Sequence, residues 1–152
     1  MRIVIAAIGR MKAGPLRALY DEYAARMTWP LTLREMEIRK TLTVDERRRQ
    51  EAELLRAAAV PGARRVVLDE RGASLSSEAF ARRLEGWRNE GIAEAVFFIG
   101  GADGIDQTLR GEADLVLSLG LMTWPHLLVR GMLAEQLYWA QQILAGHPYH
   151  RA

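Results

Sequence analysis

The chain has 152 residues, 49% of them hydrophobic and 26% charged, with no cysteine and a formal net charge of +2. This composition excludes a disulfide framework, a thiolate nucleophile and a cysteine-based zinc site, and no apolar run approaches the roughly 18 residues that a membrane span needs. A single soluble domain over residues 1–152, burying roughly 68–70% of the surface its unfolded chain exposes, is expected in the cytoplasm, with no membrane attachment and no metal.

In chain order, "RIVIAAIG" (Arg2 to Gly9) reads as a buried strand, and Pro15 opens a helix, "PLRALYDEYAARM". "LTLREMEIRK" (Leu31 to Lys40) is a second strand; Leu31 and Leu33 fall on one phase and Met36 and Ile38 on the other, which predicts a bulge. Thr43 and Glu46 form a capping box for a helix reaching about Ala59. "RRVVLDE" is a third strand, and a serine-rich turn at Ser74, Ser76 and Ser77 caps the helix "SEAFARRLEGWRNEG". "AVFFIGG" and "DLVLSLG" are the fourth and fifth strands, separated by "ADGIDQTLRGEA", a loop with one or two helical turns. In the final helix Leu133, Leu137, Ala140 and Leu144 share one face, and Gly146 stops it. Strands without strict alternation, separated by helices, predict an α/β fold whose mostly parallel sheet of about five strands is covered on both sides.

All basic residues except Lys12 and Lys40 are arginine. Guanidinium groups pair bidentately with phosphates and stack on bases, so a nucleic-acid partner is one reading; ordinary solvated surface is the other. "DERRRQE" (Asp45 to Glu51) carries both, because its acids offset its arginines.

Three familiar chemistries fail on spacing. Gly9 to Gly14 has the glycines of a phosphate loop, but Pro15 and Leu16 occupy the places of the required Lys and Ser/Thr. "GASLS" at Gly72 lacks the second glycine of a nucleophile elbow. Gly100, Gly101 and Gly104 miss the dinucleotide spacing and follow the fourth strand, not the first. Ligands of parallel sheets nevertheless sit beyond the carboxyl ends of strands, and here "VVLDE", "FFIGGADG" and "LSLGLMTWPH" end three of them. Either the glycines merely turn the chain, or they open backbone groups to a ligand such as an adenosine, with no charged phosphate clamp in these loops.

"FFIGGADG", "LSLGLMTWPHLLVRGMLAEQLYWAQQI" and the terminal "HPYHRA", together with "AAIGRMKAG…YDEYAARM" and "VVLDERG", resemble the RlmH family of SPOUT methyltransferases along essentially the whole chain. The resemblance implies a C-terminal trefoil knot, S-adenosyl-L-methionine as methyl donor, an obligate homodimer, and N3-methylation of a pseudouridine in 23S rRNA of the assembled bacterial ribosome. It places Leu68, Gly101 and the run Gly120, Leu121, Met122, Thr123, Trp124 and Pro125 around the donor. In the tail it implies active-site roles: Tyr149 or His150 to stack on an exposed base, and Arg151 to hold a phosphate or carbonyl oxygen, in the partner's pocket if the dimer shares its sites. A zinc site at His147 and His150 would need ligands from elsewhere.

Glu135 is the most plausible carboxylate to take the N3 proton, with a surface role or an ion pair with Arg130 as the alternative. Family members commonly carry Arg where "EQLYWA" has Trp139, so any grip on substrate made by that Arg must be missing or supplied by Arg130 or Arg151. Gly131, unfavourable inside a helix, suggests close packing against the dimer partner. Two other readings stand beside this one: a SPOUT methyltransferase acting on another RNA, and a non-catalytic ribosome-binding protein.

Overall fold

The computed structural model describes residues 1–146. Five strands, β1 (Arg2–Ile8), β2 (Leu31–Met36), β3 (Arg64–Ser74), β4 (Glu94–Ile99) and β5 (Leu115–Ser118), form one sheet in the order β2-β1-β4-β3-β5. All four pairings are parallel. The helices are α1 (Pro15–Ala24), α2 (Val44–Ala57), α3 (Ser77–Asn89), α4 (Gln107–Gly111) and α5 (His126–Leu144).

The two-sided covering explains why the strands lack alternation. Ile3, Ile5, Ala7, Phe97 and Ile99 face a core built from α1, α3 and α5. Their neighbours Val4, Ala6, Ile8, Val96 and Phe98 face a second core that contains Leu55 of α2 and Leu109 of α4. A strand apolar on both faces can sit only inside such a sandwich of layers. On α5, Leu133, Leu137 and Ala140 are fully buried and Leu144 packs against the same cluster, as their spacing predicts.

Helix starts follow the predicted chemistry. Pro15 occupies the first turn of α1, Thr43 Oγ1 accepts from Glu46 N–H at 3.2 Å, and Ser76 Oγ accepts from Ala79 N–H at 3.0 Å. Gly146, with φ of 71°, follows the end of α5.

Two expectations are corrected. β2 runs in unbroken register from Ile3↔Leu31 to Ile8↔Met36 and stops four residues before Lys40, without a bulge. Its change of apolar phase arises because Leu31 and Leu33 pack into one core and Met36 into the other. Past Met36, Arg47 of α2 donates to the carbonyls of Ile38 and Lys40, which draws that segment off the sheet edge. The irregularity lies in β3 instead, where Leu68 and Ala73 both pair with Leu117 and residues 69–72 are extruded.

Candidate active site

The carboxyl ends of adjacent strands β4, β3 and β5 open onto a cleft of about 1000 Å³. Each strand contributes one wall.

From β4 comes the turn Gly100 to Gly104. A Cβ on Gly100 would lie 2.8 Å from the carbonyl oxygen of Gly104, and Gly104 itself has φ of 82°, so this turn tolerates neither residue as an L side chain without strain. The turn closes through Gly104 N–H to Gly101 O at 3.0 Å. From β5 comes the loop 119–125. Ser118 Oγ accepts from Gly120 N–H at 3.1 Å and donates to Gly120 O at 3.0 Å, pinning Gly120 at φ of 116°. Trp124 Nε1–H donates to Leu119 O at 3.3 Å, so the loop is folded onto itself. From β3 comes the extruded segment, tied to the same loop by Thr123 Oγ1–H to Glu70 Oε2 at 2.9 Å.

Leu68, Gly101, Gly120, Met122, Thr123, Trp124 and Pro125, all expected around the donor, line this cleft. Leu121 does not, and the residue stands 89% exposed. Glu135 lies elsewhere, in a second cavity of about 550 Å³ shared with Tyr23, Ser77 and Gln136. There Gln136 Nε2–H donates to Glu135 Oε2 at 3.1 Å. The two cavities meet at Leu117, Leu119 and Gly120, which line both. Tyr149, His150 and Arg151 lie outside the described residues, as does His147.

Arg130 is not paired with Glu135. It is fully buried and donates to Glu35 Oε2 at 2.5 Å, to Gly9 O at 2.7 Å and to Ile8 O at 3.0 Å. The same carboxylate oxygen accepts from Met11 N–H at 2.7 Å. Burial pushes the Glu35 carboxyl up, but the Met11 amide and the Arg130 guanidinium outweigh it and hold the group below the usual carboxylate range. Arg130 thus buckles α5 to the ends of β1 and β2. So committed, its guanidinium has no reach left to serve substrate in the place of the cation that Trp139 lacks. Gly131 beside it faces Leu19 of the same chain, whose Cδ2 would be 2.9 Å from an added Cβ, so its close neighbour is α1.

Charged groups that the loop sequences did not bring together also meet here. Arg48, Arg49, Arg71 and Arg110 line the cleft. Arg71 and Arg110 share one carboxylate, Asp69, at 3.1 and 3.2 Å. Burial raises the Asp69 carboxyl, yet hydrogen bonds from the Arg71 side chain and amide and from Arg110 prevail and bring it down to about 2. Arg48 Nε–H donates to Asp103 O at 2.7 Å while its guanidinium also stands 4.0 Å from Asp45, so within "DERRRQE" Arg47 and Arg48 are hydrogen-bonded to backbone carbonyls and their neighbouring acids offset part of their charge. His126, at the start of α5, also lines the cleft. Burial, then the charge of Arg130, hold its imidazole below 6.5, so it is neutral at neutral pH. Of these residues only Asp69 and Arg71 carry a sequence signal, an acid and a base two apart at a strand end.

Pockets of 300–1000 Å³ with apolar walls and a few convergent polar groups are the size class of nucleoside cofactors. Leu68, Ile99, Ile105 and Leu117 give this cleft apolar wall, and the bare backbone at Gly100, Gly101 and Gly120 gives it polar groups at close approach. The residues present therefore fit an adenosyl group carrying a cationic sulfonium. Among the described residues no helix is long and apolar enough to cross a membrane, and no three His, Asp or Glu side chains gather as metal ligands.

Comparison with known proteins places the chain in a family. A family model described as "Predicted SPOUT methyltransferase" matches residues 1–150. The chain is 60% identical over 152 residues to the ribosomal RNA large subunit methyltransferase H of Rhodospirillum centenum, covering 100% of both. It is 53% identical to the protein of that name from Rhodospirillum rubrum, again over 100% of both chains, and 50% identical to that from Paramagnetospirillum magneticum over 99% of both. A Legionella pneumophila methyltransferase solved with its cofactor SAM is similar with a TM-score of 0.49 and 11% identity, over 95% of this chain and 66% of that one.

Proposed function

We propose, from the premise that this chain belongs to the SPOUT methyltransferase family, that it methylates N3 of a pseudouridine in 23S rRNA of the assembled ribosome, with S-adenosyl-L-methionine as donor. Full-length relatives 53–60% identical bear the name of a large-subunit rRNA methyltransferase, which supports the substrate class. The observation that carries the reading is the glycine-lined cleft at the ends of β4, β3 and β5, where seven of the eight residues expected at the donor converge.

The donor, when bound, supplies an activated methyl group on a sulfonium centre that loses its positive charge on transfer. Alignment is then the main demand on the protein, and holding the reacting atoms at about 3–3.5 Å supplies roughly 7–11 kcal/mol. Gly101 and Gly120 provide close backbone approach, Leu68 and Pro125 apolar wall, and the Ser118, Thr123 and Trp124 hydrogen bonds hold the loop in place. Glu135 remains the carboxylate proposed to accept the N3 proton; it stands across the β5 end from the donor cleft, so the base has to enter from the second cavity. Tyr149, His150 and Arg151 of a second subunit are proposed to complete that side.

The homodimer, the single domain over 1–152, the trefoil knot and action in the cytoplasm belong to the same proposal. Leu121 and Met122, 89% and 74% exposed, give the dimer an apolar contact surface. The test is incubation of the purified protein with ribosomes from a strain lacking the modification and with labelled donor, followed by mapping of the label. One methyl on one pseudouridine of 23S rRNA is expected. Label on another RNA would mean a different SPOUT substrate, and no label with no donor binding by calorimetry would remove the enzyme reading.

A further inference from the structure

Glu51 is a buried acid that the proposed methyl transfer does not use. It lies on the inward face of α2 with 6% of its surface exposed. Its carboxylate is directed at the backbone of Gly101: a Cβ there would stand 3.3 Å from Oε2 and 3.7 Å from Oε1. Oε1 is buried and has no hydrogen-bond partner among the described residues. A second strut from the same helix, the Arg48 bond to Asp103 O, grips the other end of the same turn. α2 is therefore the backing of the Gly100–Gly104 wall.

We propose that Glu51 is a positioning residue of the cleft, its side chain seated under Gly101 and setting where the 100–104 turn stands relative to the bound donor. This rests on the donor reading for its effect on binding, but not for its effect on the turn. The surroundings dictate which form of the acid fits. From its own helix Arg47 faces it, already committed to the carbonyls of Ile38 and Lys40. Asp103 faces it from the turn, with Arg48 bonded to that residue's carbonyl oxygen. β1 brings only Val4, Ala6 and Ile8 to this core. Burial raises the carboxyl above its ordinary range, Arg47 opposes this, and Asp103 adds to it. A protonated Glu51 packs under the turn as a neutral group. An ionised one sets against Gly101 and Asp103 a charge that Arg47, held by the carbonyls of Ile38 and Lys40, offsets only in part, and pushes the turn outward.

The sign follows from linkage. A carboxyl whose folded-state pKa is raised stabilises its seat fully below the unfolded value and loses that contribution as pH rises through the folded value. Donor affinity therefore falls as Glu51 ionises, by about tenfold for each pKa unit by which donor binding raises the titration.

The experiment is a carboxyl and amide NMR titration of the full chain labelled at glutamate and glycine, beside calorimetry with S-adenosyl-L-methionine at each pH, for wild type and Glu51→Gln. One carboxyl, absent from Glu51→Gln, is expected to titrate above the exposed glutamates and to carry the Gly101 and Gly104 amide signals with it. Wild-type donor affinity falls over the same interval while that of Glu51→Gln stays level. Titration of Glu51 with the exposed glutamates, or titration that leaves Gly101 and Gly104 unmoved, overturns the proposal, as does an equal pH dependence in Glu51→Gln. The wild-type titration decides alone if Glu51→Gln does not fold. Moving glycine signals with no donor binding at any pH would uphold Glu51 and overturn the donor reading.

Discussion

A methyl group added at Gly72 would lie 2.5 Å from the carbonyl oxygen of Val116 and 2.8 Å from its Cγ1, in the return of the extruded β3 segment to the sheet. Backbone cannot step aside there as a flexible side-chain end can. Gly72→Ala is expected to lower stability by roughly 1–3 kcal/mol, read by thermal melting, and to loosen the segment that holds Thr123. Asp69 in the same segment titrates at about 2 against an ordinary 3.8, so the stability it contributes is complete above pH 3.8 and vanishes as pH falls through about 2. The gap in melting temperature between wild type and Asp69→Asn is expected to be widest near neutrality and to close across that acid interval. A constant gap would locate the contribution outside the carboxylate's charge. Little of this is legible in the sequence. Gly100, Gly101 and Gly120 stand out there because each follows a clean apolar strand. Gly72 sits in a serine-rich stretch that reads as an ordinary turn, and the crowding that requires a glycine comes from Val116, forty-four positions away.

At the level of elements, the caps and buried stripes are readable because they are local: Thr43 with Glu46, Ser76 with Ala79, and the apolar face of α5 all lie within a few turns of chain. The expected bulge falls on β2, not β3, because a strand's change of apolar phase looks the same whether the chain slips or both faces are covered. Partners across the fold are equally hidden. Arg130 and Glu35 are 95 residues apart, and Glu135 is the nearer acid in sequence. Removing the guanidinium leaves the carbonyls of Ile8 and Gly9 without its bonds and Glu35 with the Met11 amide alone. Arg130→Met is therefore expected to cost about 3–5 kcal/mol, measured by denaturant unfolding, and Arg130→Met with Glu35→Leu to recover part of it.

For the whole molecule, the layering follows from strand composition, since near-continuous apolar runs demand cover on both faces. The pairing of β4 between β1 and β3 does not, because strand order depends on long crossovers. The tail is where the proposed chemistry is most open to test. Arg151→Ala is expected to reduce methyl transfer at least tenfold more than it reduces donor affinity, comparing single-turnover rates with calorimetry, by the rule that an interaction made only in the transition state changes rate and not binding. Equal loss of both would make the tail part of the donor seat.

Leu117, Leu119 and Gly120 border both cavities. A guest that shifts this shared edge alters the room left for a guest beyond it. Thermodynamic reciprocity then requires each occupant to change the other's affinity by the same factor, so cofactor and nucleobase binding would be coupled at the place where the two meet.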